Sequence, residues 1–204
     1  MVRKQAYQIP PSTLAGWKRH WHGLYATPRA WAHKGENLVD AFGVLAPVAT
    51  TRTMDFDIHA QTLMIAGMAV EVLLKAILVH DPEVRWIVMS RSKSHSAKEK
   101  ELYSIFYNHD LADIARAARV RLTRTQRLTA LSLSQYIIWK GRYIVPTMSR
   151  ITDLVPVPQE NGLIGPSDRN VTISMAARLV ERSMRAVKSR LYGEKHSRWR
   201  FTHP

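Results

Sequence analysis

The 204-residue chain has no cysteine. That excludes a disulfide framework, a thiolate nucleophile and a cysteine-ligated zinc site. Acidic residues are scarce beside basic ones, 16 against 30, so the formal net charge is +14. A surplus of that size points to an anionic partner, nucleic acid first, with a membrane surface or an acidic protein behind it. The nine glycines never gather into a phosphate-cradling loop, and there is no Walker lysine motif, Ser-centred nucleophile elbow or His-Glu-x-x-His zinc pair. No cofactor and no metal are expected. Asp55, Asp57 and His59 alone combine carboxylates with a histidine, and they read better as a helix start with acids at the positive end of its dipole. The opening stretch MVRKQAYQIPPSTLAGW lacks an apolar run of signal-peptide length, so the expected setting is cytoplasmic.

Long hydrophobic runs are also missing, with one exception. Leu63 to Val79, LMIAGMAVEVLLKAILV, is apolar almost throughout yet holds Glu71 and Lys75. Two charges near its middle argue against a membrane span, where each costs a few kcal/mol. A helix apolar on nearly every side belongs inside a protein core. Glu71 and Lys75 stand at i, i+4 with the acid first, the favourable order, but burial makes the pair costly unless further polar groups satisfy it. The run therefore predicts an all-α core built around a polar cluster.

About two hundred residues fit one domain with enough chain for a real core. Residues 1–27 read as a basic, aromatic N-terminal arm in which Ser12 or Thr13 can cap a short helix. Pro28 suits the first position of a clearer helix, with Trp31, Leu38, Phe42 and Leu45 at helical spacing and Pro47 closing it. The central helix is expected from about Asp57 to His80, stopped by Asp81-Pro82. Ser90 to Lys100 lacks periodicity and reads as a basic loop. A short helix follows Asn108-His109-Asp110, where Asn108 or Asp110 caps it. Another starts at Thr123 or Thr125 and ends near Lys140-Gly141, with Leu128, Leu131, Tyr136 and Ile137 on its apolar face. Six Pro and Gly residues between Ile144 and Asp168 rule out regular helix there. Ser167 or Asp168 is expected to cap the last long helix, and Gly193 to end it. Five to seven helices are expected in all, followed by a basic tail at 193–204.

Three fragments occur in a telling order: GMAVEVLLKAILV at 67–79, NHDLADIARAARV at 108–120 and SQYIIWKGRYIVP at 134–146. Together they resemble HEPN-domain proteins (higher eukaryotes and prokaryotes nucleotide-binding), in the branch with a "GHDL" and a "Y-x-x-W-x-x-RYP-x-P" signature. PRAWAHKGENLVDAFGVLAP at 28–47 is similar to that family's first helix. The likeness covers residues 28–192. Asn108 stands where the family has Gly, and Ile144 where it has the first Pro. The resemblance implies a bundle of four core helices plus short ones that often dimerises. Many members are metal-independent ribonucleases of toxin–antitoxin or antiphage systems; others are non-catalytic binding or assembly domains. The catalytic hallmark is an Arg followed, after four to six residues, by a His. The imidazole moves protons around the ribose 2′-hydroxyl and scissile phosphate, and the guanidinium stabilises charge on the phosphoryl oxygens.

Arg52 with His59, Arg190 with His196, and Arg198 with His203 all fit that spacing. Among so many arginines and nine histidines such pairs arise by chance, so position must select. Arg190 and His196 lie nearest to the family's motif, although Gly193 interrupts the helix between them. A second constellation has better sequence context: Glu71 and Lys75 on the central helix, His109 and Asp110 at the next short helix, Arg142 and Tyr143 after the following one. These residues either satisfy one another and pin helices together, or His109 and Arg142 converge on a phosphate with Glu71 and Asp110 orienting them. For nucleic-acid contact the candidates lie outside the core. Trp17, Lys18, Arg19 and Trp21 interleave aromatics with cations, as do Arg198 and Arg200 in the tail; Arg91, Lys93, Arg182 and Arg185 add charge. Trp17 and Trp21, four apart, equally suit docking of the arm on the bundle. The expected function is RNA-directed, with RNA favoured over DNA, either as a metal-independent endoribonuclease or as a non-catalytic subunit. A homodimer or a protein complex, and no membrane, is the expected setting. A DNA-binding regulator is a weaker alternative, because Arg119 to Arg127 lacks a convincing helix-turn-helix pattern.

Overall fold

The computed structural model describes residues 23–24, 26–51, 56–90, 96–140, 157–158, 164–165 and 171–193. Helix α1 (Pro28–Thr51) opens with Pro28, whose missing N–H is no loss at a helix start. Its buried positions, Ala32, Gly35, Val39, Phe42, Ala46 and Ala49, alternate by three and four residues. The large residues expected to face the core, Trp31, Leu38 and Leu45, are only half-buried and flank this line. Small residues lie along it because α1 packs closely on the central helix: a Cβ on Gly35 would meet Leu73 Cδ2 at 2.6 Å. Pro47 does not end the helix as expected. It is exposed, so water can replace the donor that the Gly43 carbonyl loses, and Thr50 and Thr51 hydroxyls donate to the carbonyls of Ala46, Pro47 and Val48 in the last turn.

Helix α2 (Phe56–His80) is the axis of the fold. It packs most extensively on α1, then on α7, and it also touches α3, α5 and α6. By length and composition Ile58–His80 is apolar enough to cross a membrane, but 83% of its most apolar window is buried inside the protein. Asp81 then accepts from the Glu83 N–H and Pro82 begins α3 (Pro82–Met89), the break expected at that dipeptide.

The stretch expected as loop up to Lys100 instead contains the start of α4 (Ala97–Tyr107). Ser96 and Glu99 form a reciprocal capping box, Ser96 N–H to Glu99 Oε2 at 2.6 Å and Glu99 N–H to Ser96 Oγ at 3.3 Å. That S-x-x-E pattern satisfies two donors a helix start leaves open, which outweighs the lack of apolar periodicity. Helix α5 (Leu111–Ala117) is capped by Asp110, and α6 (Arg124–Gln135) by Thr123, again with a capping box to Gln126. The chain continues as a π-helical turn over Tyr136–Lys140. Gly67 of α2 lets this turn approach, since a Cβ there would lie 2.9 Å from Ile137 Cγ1 and 3.1 Å from the Leu133 carbonyl oxygen. Tyr136 is buried, which pushes its phenol pKa up. Val157–Pro158 (β1) and Ile164–Gly165 (β2) form a two-residue antiparallel pair. Helix α7 (Ile173–Leu191) is capped by Thr172, whose hydroxyl accepts from the Met175 N–H, not by Ser167 or Asp168. Gly193, at φ +67°, takes the left-handed conformation that follows a finished helix. Among the described residues the fold is an all-α bundle of seven helices.

Candidate functional site

Two charged side chains lie in the buried part of α2. Lys75 Nζ is 2.5 Å from Glu71 Oε1, with only 7% of the Lys75 side chain and 10% of the Glu71 side chain exposed. The helical period alone brings residues 71 and 75 onto one face. Lys75 Nζ also lies 5.4 Å from the centroid of the Phe106 ring on α4, a cation–π contact. Phe106 is held edge-on to Trp31 of α1, at 5.5 Å and 81°. The ammonium is therefore compensated on one side by a carboxylate and on another by a ring face, which offsets part of its desolvation.

The second oxygen of Glu71 serves another element. His109 Nδ1 lies 3.0 Å from Glu71 Oε2. A carboxylate only accepts, so this bond places the ring proton on Nδ1 and leaves Nε2 of the neutral ring as an acceptor. The His109 side chain is 47% exposed. A buried carboxylate thus fixes the tautomer and orientation of an imidazole that still meets solvent.

The backbone around His109 is held from three sides. Asn108 Oδ1 accepts from the His109 N–H at 2.7 Å and the Asp110 N–H at 3.3 Å. Asp110 Oδ1 accepts from the N–H groups of Ala112 and Asp113 at 2.9 and 3.0 Å. The Leu111 N–H donates to Ser134 Oγ of α6 at 2.9 Å, and that hydroxyl donates onward to the Ala130 carbonyl. Asp110 is therefore the helix cap, and its bonds are to backbone rather than to Glu71 or His109. Phe106 and Ser134 belong to the site and were not picked out in sequence, where neither carried a signal. Asn108 was read there as one of two candidate caps; Asp110 takes that place, and Asn108 instead holds the turn through the His109 and Asp110 N–H groups.

Chemically, a carboxylate-oriented imidazole can take a proton at Nε2 and return it, with Glu71 stabilising the imidazolium in between. The remaining expected site residues divide in two groups. Arg190 is at the other end of α5: Nη1 donates to the Ala118 carbonyl at 2.6 Å and Nη2 to the Arg119 carbonyl at 2.9 Å. Arg119 has φ +53°, and the guanidinium satisfies carbonyls that the end of α5 leaves open. That gives Arg190 a capping contact; His196, the partner expected for it, lies outside the described residues. Arg182 Nη2 donates to the Arg121 carbonyl at 3.2 Å, and Arg185 lies 3.6 Å from Glu181. Arg142, Tyr143, His196, Arg198, Arg200, Trp17, Lys18, Arg19, Trp21, Arg91 and Lys93 lie outside the described residues, as do Arg52, Asp55 and His203.

No match to this chain was found among protein-family models, curated proteins or solved structures.

Proposed function

We propose that the chain is an RNA-directed protein of HEPN type, acting in a bacterial conflict, defence or toxin–antitoxin setting, in which His109 moves protons during metal-independent cleavage of the RNA backbone. The observation that carries this reading is the 3.0 Å contact between His109 Nδ1 and buried Glu71, on a ring that is half exposed. The net charge of +14 supports an RNA substrate, and the order of the three HEPN-like fragments supports the family. In the proposed reaction Nε2 takes the proton of a ribose 2′-hydroxyl as that oxygen attacks the neighbouring phosphorus. The 5′-oxygen leaves with a proton from a second acid or from water, giving a cyclic phosphate and a 5′-hydroxyl. Arg142 is assigned the stabilisation of charge on the phosphoryl oxygens.

A second reading is a non-catalytic assembly or RNA-binding subunit, acting as a homodimer or within a larger complex. One observation favours it: Glu71, Lys75 and His109 satisfy one another and tie α2 to α4 and α5. The test is incubation of the purified protein with total tRNA and a mixed RNA pool in EDTA, beside His109→Ala, Arg142→Ala and His196→Ala. Discrete cleavage lost in His109→Ala supports the first reading. Cleavage lost only in His196→Ala moves the site to the C-terminal segment. No cleavage, with RNA held in a salt-sensitive complex, selects the second.

A further inference from the structure

Five arginines, Arg116, Arg119, Arg121, Arg124 and Arg127, stand between Ile114 and Gln135, a stretch with no acidic residue. All five are exposed. Helix α7 adds Arg178, Arg182, Arg185, Lys188 and Arg190, with Glu181 as its single acid. The fold joins these two segments into one face. Arg182 donates to the Arg121 carbonyl and Arg190 to the carbonyls of Ala118 and Arg119, so the polar side of α7 lies against the α5–α6 connection. Arg116 pairs with Asp113 and Arg185 with Glu181. Arg119, Arg121, Arg124, Arg127 and Arg178 meet no carboxylate among the described residues. So much unneutralised like charge on one surface is self-repelling until a polyanion discharges it.

The composition of the face narrows the polyanion. No aromatic residue occurs between Tyr107 and Tyr136, and none within α7. A surface that grips unpaired bases needs rings to stack them; a surface of guanidiniums alone reads phosphates. Arg178 and Arg185 lie seven residues apart on nearly the same side of one helix, which gives a rigid cationic edge about 10 Å long. We infer that the α5–α6 connection and α7 form a docking surface for the phosphate backbone of a paired RNA stem. This rests on the RNA-directed reading and adds where the RNA is held and in what form.

The test compares Arg124→Gln/Arg127→Gln with a control that removes equal charge from α1, Arg29→Gln/Lys34→Gln. Binding of a hairpin RNA stem, an unstructured RNA strand and a DNA duplex of equal length is followed by fluorescence anisotropy across a salt series. The wild-type protein is expected to prefer the RNA stem. The α6 variant is expected to bind it about tenfold or more weakly at 0.1 M salt, with a log–log salt slope smaller by roughly one to two, while the α1 control stays close to wild type. Arg178→Gln/Arg185→Gln is expected to act like the α6 variant and covers the case in which the first fails to fold. Equal losses in face and control variants would overturn the surface while leaving RNA binding intact. So would a preference for unpaired RNA or for DNA. Absence of RNA binding by the wild type would overturn the functional reading itself, and the surface with it.

Discussion

Helices α2 and α7 hold their charges in opposite ways. In α2 the two charged residues of the core turn inward and meet each other, and the pair is extended to His109 and to the Phe106 ring. In α7 the buried line is wholly apolar but for Ser183, and nearly all the charge is cationic and directed away from the core. Internal charges must be matched one by one, because desolvation makes any unmatched member expensive. External charges tolerate a surplus, because water screens them, and the surplus is then available to a partner. The lesson is a division of labour: α2 positions one imidazole, and α7 with its neighbours presents a field.

Breaking the internal arrangement has the largest expected effect. Glu71→Leu leaves Lys75 buried without its carboxylate and is expected to cost about 3–5 kcal/mol in urea unfolding. Glu71→Leu/Lys75→Met removes both charges and is expected to recover most of that loss. A single variant as stable as wild type would show that the internal pair is not matched as described. Next comes the approach of the π-helical turn to α2. Gly67→Ala is expected to destabilise by about 1–3 kcal/mol, because one of the atoms in the way, the Leu133 carbonyl oxygen at 3.1 Å, is backbone and cannot rotate aside. Thermal melting checks it, and an unchanged midpoint would contradict the close packing. At the two ends of α5, Asp110→Ala and Arg190→Gln each remove capping bonds and are each expected to cost about 1 kcal/mol. The smallest stability effect belongs to the external face: Arg124→Gln/Arg127→Gln is expected to stay within about 0.5 kcal/mol of wild type while changing RNA binding. A large loss of stability there would blur the contrast between the two helices.

Much of this was legible in the chain. The central helix and its stop, the short helix after Asn108-His109-Asp110 and the end at Gly193 follow from hydrophobic pattern and turn residues. Glu71 and Lys75 announced a polar cluster because charge inside an apolar run demands a partner. Three things were not legible. Helix α4 has almost no apolar periodicity, with Phe106 its one buried residue, so only the Ser96–Glu99 capping box could reveal it. The buried line of α1 sets Gly35 and three alanines beside Val39 and Phe42, and its small members answer to close helix approach, which selects for size and not for hydrophobicity. The contact of His109 with Glu71 spans 38 positions in sequence; both residues were placed in the expected polar cluster, but no local pattern specifies which of its members meet. Nor does one specify the partners of Arg190, carbonyls that lie 71 and 72 positions away. Its spacing to His196 drew attention to it, but nothing local foretold that it would cap the end of α5.

The most direct test of the division of labour measures two quantities on one RNA stem in EDTA, the dissociation constant and the single-turnover cleavage rate at saturation. His109→Ala is predicted to lower the rate by about a hundredfold or more with an unchanged dissociation constant, and Arg124→Gln/Arg127→Gln to weaken binding with an unchanged saturating rate. Wild-type cleavage by His109→Ala, or both variants shifting the same quantity, would contradict it.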